Sequence, residues 1–455
     1  MAPKGGILPF RWQKKLGWWI VGVLCFIPVW VWLSYLPLGP RISGLYGFVG
    51  FLGKVTGIVG MMLYSINLIL ATRLRIFENL FGGLNRMYIA HHIIGGLALI
   101  LLVFHPLFLS LRYLTISLHQ AAIELLPVLT QVDRSGWARN FGIISLFGMV
   151  LLLIITFFAK LPYRLWFFTH RFLGVFFFVG GLHVFLVSSD TNTSGFLRWY
   201  MLGFALVGTV AYAYRSLLGR ILIRKYHYIV KQVLVVGGNV AQVVMEPAGR
   251  TLSFEAGQFM FIRFKSPGQK SITSEWHPFS ISSAPGEEFL RIDAKVLGDY
   301  TKALMDLKPG AQAEIEGAYG RFSYQNYDNP NQIWVAGGIG ITPFLSMARS
   351  LKGKNHSANL HIDMYYSVKA KEELVDYGTI HSVAYFNPKI FRLFPHVSKD
   401  NGMLTAEIIA QKSGGVAGKD IYICGPPPMM KAMKEQFVRL GVPKKNIHSE
   451  EFSMS

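Results

Sequence analysis

The 455-residue sequence predicts an all-α six-helix transmembrane bundle followed by two smaller domains, an antiparallel β-barrel and an α/β domain with a parallel sheet. Three observations predict this. The chain is 52% hydrophobic and 15% charged, and the excess of apolar residues sits in its first half. That half falls into apolar segments near 16–36, 47–70, 88–111, 141–159, 166–189 and 197–217, each close to the roughly 20 residues a helix needs to cross ~30 Å of hydrocarbon. Past Lys225 the pattern becomes alternating strands broken at Gly, Pro and Asn, and past Asn331 it becomes strand, glycine turn, helix. The expected boundaries are 1–225 for the membrane domain, 226–328 for the barrel and 329–455 for the α/β domain.

The first apolar segment follows Lys14 and Lys15 as a signal peptide would, but it has no small-residue cleavage site and runs beyond 20 residues. It is read as the first span. Lysine and arginine cluster at the N-terminus (Lys4, Arg11, Lys14, Lys15), in the second loop (Arg73, Arg75, Arg86), in the fourth (Lys160, Arg164) and at the exit (Arg215, Arg220, Arg224, Lys225). The opposite loops carry only Arg41, then Arg112, Arg134 and Arg139, then Arg198. Positive residues mark cytoplasmic loops, so a multi-pass protein of the cell (inner or plasma) membrane with both termini cytoplasmic is expected. The formal net charge of +20 follows from this topology and from anionic lipid headgroups, so no nucleic-acid partner is expected. The two cysteines, Cys25 and Cys424, fall in different domains, and no disulfide is expected.

Histidine is costly in the bilayer core unless it has a task. The third segment carries His91 and His105, 14 residues apart, and the fifth carries His170 and His183, 13 apart. Both segments start from the cytoplasmic side, so His91 matches His170 in depth and His105 matches His183. At about 1.5 Å per residue the two levels lie roughly 20 Å apart. Such pairs suit two bis-histidine haem sites stacked across the membrane, with Gly95 and Gly174 leaving room for a flat ring. A proton relay would use buried histidines too. At ~100° per residue the 14-residue pair shares a helix face, whereas the 13-residue pair falls about 140° short of four turns. A local distortion, expected at Gly180 and Gly181, has to close that gap. His91 is preferred over His92 because the form H-x-x-x-G recurs in His91…Gly95 and His170…Gly174.

In the second half, 277-HPFSISSAP-285 is a strand running into a turn with hydroxyls at Ser280, Ser282 and Ser283, and 298-GDYT-301 opens a short helix. At 337-GGIGITPF-344 a glycine turn lies between an apolar strand and a helix, the context that cradles a pyrophosphate. The run 424-CGPPPMM-430 ends another strand where α/β ligands bind. These motifs, with EGAYGRF at 316–322 and in this order, look like the ferredoxin-reductase-type flavoproteins. Joined to six helices with the two histidine spacings, the chain resembles the NADPH oxidase and ferric reductase family of transmembrane flavocytochromes b, its prokaryotic members in particular.

The resemblance implies FAD, two b haems and NADPH or NADH as cofactors. It implies haem ligation by His91, His105, His170 and His183, and FAD contacts from His277, Pro278, Phe279 and Ser280 at the ring and ribityl side, with Gly298 and Thr301 at the phosphates. It further implies dinucleotide contacts from Gly337, Gly338, Gly340, Thr342 and Pro343, and from Cys424, Gly425, Pro426 and Met429 around the nicotinamide. Phe452 in EEFSMS stands where many relatives set an aromatic against the flavin. Ser367 and Lys369 follow the strand MYYSV, where a 2′-phosphate could be read. The expected acceptor is dioxygen, giving superoxide, with a ferric chelate or a periplasmic partner protein as alternatives and no obligatory protein partner evident. No D-x-[DN]-x-[DN]-G calcium loop occurs in the sequence.

Overall fold

The computed structural model describes residues 10–450 except 36–37, 131, 189–193, 238, 267, 270, 274 and 353–359. Phe452 lies outside the described residues. The chain divides into two compact units, Met1–Ile223 and Arg224–Ser455.

The first unit is helical: α1 Phe10–Ser34, α2 Leu38–Ile42, α3 Gly44–Leu70, α4 Arg75–Phe81, α5 Leu84–Leu111, α6 Leu118–Ile123, α7 Arg134–Phe158, α8 Tyr163–Arg171, α9 Leu173–Leu186, α10 Gly195–Tyr212 and α11 Gly219–Leu222. Among the described residues six stretches are long and apolar enough to span a membrane, and the fifth, Arg164–Leu186, runs through α8 and α9. The spans are apolar all round, as helices in lipid must be. Met62, Ala90, Ile94 and Phe177 are sealed inside, while Phe158 and Trp199 stand exposed on the outer faces. Side-chain hydroxyls fasten the spans where apolar packing alone has little preference. Ser65 Oγ donates to Phe204 O at 2.5 Å, Ser145 Oγ to Phe176 O at 2.7 Å and Tyr64 OH to Leu173 O at 2.6 Å. Loop residues set the ends: Asp133 caps α7 by accepting from Gly136 N at 2.7 Å, and Gly82, at φ +77, closes α4.

The distortion expected in the fifth span is present, but not at Gly180 and Gly181. The helix is interrupted at Phe172, between α8 and α9. There Phe172 N donates to Thr169 O at 3.0 Å and Val175 N to Phe172 O at 2.9 Å, both i→i−3 bonds. A stretch of that kind winds at ~120° per residue instead of ~100°, which turns the His183 end toward the face of His170. Gly180 and Gly181 lie inside α9; a side chain at Gly180 would meet Ser145 Oγ at 2.9 Å, so this glycine serves packing against α7.

The second unit carries two sheets. Strands β1 Tyr226–Val236, β2 Val240–Pro247, β3 Phe259–Lys265, β4 His277–Ser280, β5 Leu290–Lys295 and β6 Gln312–Tyr319 form an antiparallel sheet of order β4-β3-β6-β1-β2-β5. Just past β4 the two edges meet, with Ser282 N donating to Arg291 O at 2.9 Å, so the sheet curls shut around Met245, Met260, Ile262 and Ile292. Helix α12, Asp299–Ala303, lies in the β5–β6 connection. Strands β7 Asn331–Gly337, β8 His361–Val368, β9 Phe391–Val397, β10 Asp420–Cys424 and β11 Ile447–Glu450 form a parallel sheet of order β11-β10-β7-β8-β9. Helices α13 Thr342–Ser350, α14 Tyr377–Phe386, α15 Ser398–Asn401, α16 Ala406–Lys412 and α17 Pro427–Arg439 provide its connections. The sheet is buried on both faces, Trp334, Phe344 and Tyr422 packing on one and Ile333, Ile423 and Phe437 on the other. That is why IWVA and DIYIC read as unbroken apolar runs.

Candidate functional site

Helices α5, α8 and α9 bring the four histidines together as two pairs. The His91 and His170 rings have their centres 6.4 Å apart, and so do those of His105 and His183. Two imidazoles that share one metal, each bonded at about 2 Å, stand about this far apart once the ring radii are added. His92 is exposed on α5, its ring 5.9 Å from that of His91.

Neighbouring helices orient three of the four rings. His91 Nδ1 lies 3.2 Å from Asn67 O, His105 Nδ1 2.7 Å from Gly53 O and His183 Nδ1 2.7 Å from Ala138 O. A helical carbonyl already accepts from the residue four further on, so a second donor must come in close beside that residue. At all three places that residue is small: Ala71, Gly57 and Gly142. Ala71 N donates to Asn67 O at 3.1 Å, a Cβ on Gly57 would stand 2.5 Å from His105 Nδ1, and one on Gly142 would stand 3.0 Å from His183 Nδ1. Sequence reasoning missed these residues, although a glycine in an apolar span is itself a signal of close approach. The glycines it did select have other work. A side chain at Gly95 would meet Asn67 Nδ2 at 2.8 Å, and one at Gly174 would run into the Tyr212 ring at 2.1 Å. They admit neighbouring side chains and are not open floor for a flat ring.

His170 differs from the other three. Its Nδ1 is buried with no hydrogen-bond partner, and its ring stacks on Trp166 at 5.2 Å with 12° between the planes.

In the barrel, His277, Pro278 and Phe279 are half-buried along β4 and Ser280 is buried. The His277 ring stacks on Tyr300 at 3.6 Å. Burial pushes the imidazole's pKa down, and Glu275, 3.7 Å away, opposes that shift. Ser280 Oγ is buried without a hydrogen-bond partner, an orphan that fits a polar ligand on this strand. Ser282 is fully buried. Ser283 is committed to the fold, its hydroxyl accepting from Arg291 N at 3.1 Å and its carbonyl from Ser346 Oγ at 2.7 Å. Thr301 Oγ1 accepts from Leu297 N at 2.9 Å and Gly298 N at 3.1 Å, fixing the start of α12.

The glycine turn after β7 packs against the end of β10. A Cβ on Gly340 would stand 2.4 Å from Cys424 O, and one on Gly337 would stand 2.4 Å from Met429 Sδ and 3.0 Å from Pro426 Cδ. Gly425 lies 3.1 Å, by the same measure, from the Gly337 backbone. Gly338 instead takes φ +53 and faces open space. Thr342 Oγ1 bonds Ile339 O at 3.1 Å, and Pro343 opens α13. The two motifs thus form one ridge at the carboxyl ends of adjacent parallel strands, with Pro426 exposed and Met429 half-buried. Cys424 is fully buried, and burial raises its thiol pKa well above the ordinary value. Ser367 is half-buried at the end of β8, and Lys369 is exposed just beyond.

Comparison with known proteins agrees with this layout. Three family models match in succession: a ferric reductase like transmembrane component over residues 56–181, an FAD-binding domain over 226–334 and an oxidoreductase NAD-binding domain over 334–435. NADPH oxidase 1 of Mus musculus is 31% identical over 128 residues, which is 27% of this chain and 21% of that protein. The chain therefore matches about a fifth of that relative's length. NADH-cytochrome b5 reductase 1 of Coccidioides immitis is 26% identical over 243 residues, 49% of this chain and 77% of that one. Among solved structures, the Amycolatopsis cytochrome P450 reductase GcoB is 23% identical and covers 50% of this chain and 70% of its own, at a TM-score of 0.44. Helical spans joined to FAD- and NAD-binding domains define the class, a multi-pass transmembrane oxidoreductase. Within that class the chain is similar, over parts of its length, to ferric reductase transmembrane components and to NADPH oxidase 1.

Proposed function

We propose that the chain carries electrons from cytoplasmic NADPH, or less favourably NADH, by way of FAD and two b haems to dioxygen on the far side of the membrane, giving superoxide. The observation that supports this most is the pair of equal 6.4 Å histidine separations on helices joined to flavin and nicotinamide domains. When bound, flavin accepts an electron pair as hydride and releases it singly, and haem iron carries single electrons. One NADPH therefore accounts for two superoxide ions.

In this reading His91 and His170 hold the inner haem and His105 and His183 the outer one. Where Nδ1 is turned to a backbone carbonyl, Nε2 is left for iron. His277, Pro278, Phe279 and Ser280 line the flavin ring, and Gly298 and Thr301 the phosphates. The Gly337–Gly338–Gly340 turn, Thr342 and Pro343 take the dinucleotide phosphates, and Gly425, Pro426 and Met429 border the nicotinamide. Cys424, with its thiol buried and protonated, fixes the strand end and is no nucleophile. Lys369 is open to a 2′-phosphate, which favours NADPH.

A ferric chelate is the second acceptor to consider, because the transmembrane family model is that of ferric reductases. Purified protein should give a six-coordinate b-type spectrum that NADPH reduces; absence of a Soret band would sink the haem assignment and favour a proton-carrying role for the histidines. Superoxide-dismutase-sensitive cytochrome c reduction, set beside ferrozine-detected iron reduction, separates the two acceptors. Pyridine haemochrome assay should give one haem per chain for His91→Ala and two for His92→Ala.

A further inference from the structure

The amino end of the parallel sheet holds a cavity that none of the flavin or nicotinamide motifs reaches. It measures about 250 Å³, and its walls include Asn331, His361, Asp363, Lys389, Arg392 and Lys419. Strand register brings them together. Asn331 at the start of β7 pairs with His361 at the start of β8, and Asp363 on β8 pairs with Arg392 on β9. Lys419 comes just before β10. The glycine ridge lies at the other end of the same strands. β7 runs from Asn331 at the cavity to Gly337 at the ridge, and at about 3.3 Å per residue that separates the two by roughly 20 Å.

Charge is gathered here and left unbalanced. Among the described residues lining the cavity, Lys389, Arg392 and Lys419 are cationic and Asp363 alone is acidic. Asp363 is buried and faces two of the three cations: Arg392 Nε donates to its Oδ1 at 2.7 Å, and Lys419 Nζ stands 3.8 Å from its Oδ2. One cation would be enough to pair that carboxylate. The cations are also held in place, because Lys419 Nζ donates to Ser413 O at 2.6 Å and the carbonyl of Lys389 lies 3.1 Å from His361 Nδ1. Like charges in a concavity are screened less than on an open surface, so they repel one another, and an anion relieves the repulsion. Lysine and arginine are the side chains that meet phosphate oxygens best. The volume is just under the range of about 300–1,000 Å³ that suits drug-sized ligands, which calls for a compact ligand and not a polymer.

We propose that this cavity binds a short free phosphate chain, inorganic or carried by a nucleoside, through Lys389, Arg392 and Lys419. Asp363 is the positioning residue that orients Arg392 and Lys419 toward it. The site is separate from the dinucleotide ridge, so the chain takes a phosphate ligand and a dinucleotide together.

Isothermal titration of the full-length protein with inorganic triphosphate, in magnesium-free buffer and with NADP⁺ saturating, tests this. One site per chain is expected. Lys389 is exposed, so Lys389→Gln leaves the fold intact, and it should weaken binding about tenfold or more, the worth of one charge-assisted hydrogen bond. Lys389→Arg should restore most of the affinity. Arg392→Gln, at a second exposed cation, should weaken binding likewise. ATP used as the second probe separates the two sources: equal affinity means that the phosphates alone are read, and tighter binding means that the nucleoside is read as well. No binding of either probe, binding abolished by NADP⁺, or wild-type affinity in Lys389→Gln would overturn the proposal.

Discussion

Gly338 and Gly340 stand two residues apart in one turn, yet they answer to different physics. Gly340 is glycine because a Cβ would lie 2.4 Å from a backbone carbonyl, whereas Gly338 is glycine because its φ is +53 with space around it. Gly338→Ala should therefore cost only the left-handed penalty, about 1–2 kcal/mol, and Gly340→Ala should cost more, because two strand ends have to part. Thermal unfolding of the two variants, together with the KM for NADPH, checks the order. A second residue carries a pH signature. Asp293 is buried on β5 and accepts from Gln242 Nε2 at 2.8 Å; burial raises its pKa. The folded chain thus keeps this proton to a higher pH than the unfolded chain, whose value is about 3.9. Below that value the group costs nothing, and as pH rises above it stability is lost. Asp293→Asn keeps the shape and removes the loss, so its melting temperature should gain on the parent as pH goes from 4 to 7. A constant difference across that range would refute the assignment.

Elements show where the sequence spoke clearly and where it did not. Span lengths, the antiparallel-to-parallel switch near Asn331 and the strand–turn–helix motifs were all legible, because each is a local pattern of apolar period and turn residues. The interruption of the fifth span was legible only as a need. The 13-residue spacing demanded extra winding, and Gly180–Gly181 looked like its place, yet glycine in a span can equally serve packing. The break sits at Phe172, where no local residue announces it. Its support comes from another helix, for Tyr64 OH donates to the carbonyl of Leu173, the first residue after the break. The carbonyl acceptors of the histidines were invisible for the same reason: pairing between helices is non-local. Tyr64→Phe should lower thermal stability by about 0.6 kcal/mol, the average for such bonds in membrane helices, and by at most ~1.7. If His170 holds a haem as proposed, the substitution should also perturb that site's low-spin electron paramagnetic resonance. An unchanged spectrum would mean that α8 and α9 keep their register without it.

At the scale of the whole molecule the proposed function divides between two units, Met1–Ile223 and Arg224–Ser455. The proposed hydride chemistry belongs to the second, and the passage of charge across the membrane to the first. Removing one proposed outer ligand should separate them. His183→Leu leaves every flavin and nicotinamide residue in place and substitutes a leucine for one of the two imidazoles of the outer pair. The full-length variant should keep most of its NADPH-dependent reduction of a soluble dye on the nucleotide side and lose nearly all reduction of an impermeant acceptor on the other. Inverted membrane vesicles supply the geometry, because the basic loops and both termini are expected to face outward there, toward added NADPH. Right-side-out vesicles, supplied with NADPH from outside, should be inactive until permeabilised. Equal activity in the two vesicle orientations would contradict the topology read from lysine and arginine. Dye and impermeant-acceptor activities that fall together in His183→Leu would mean instead that the units do not work separately, and that the outer pair supports the fold of the nucleotide side.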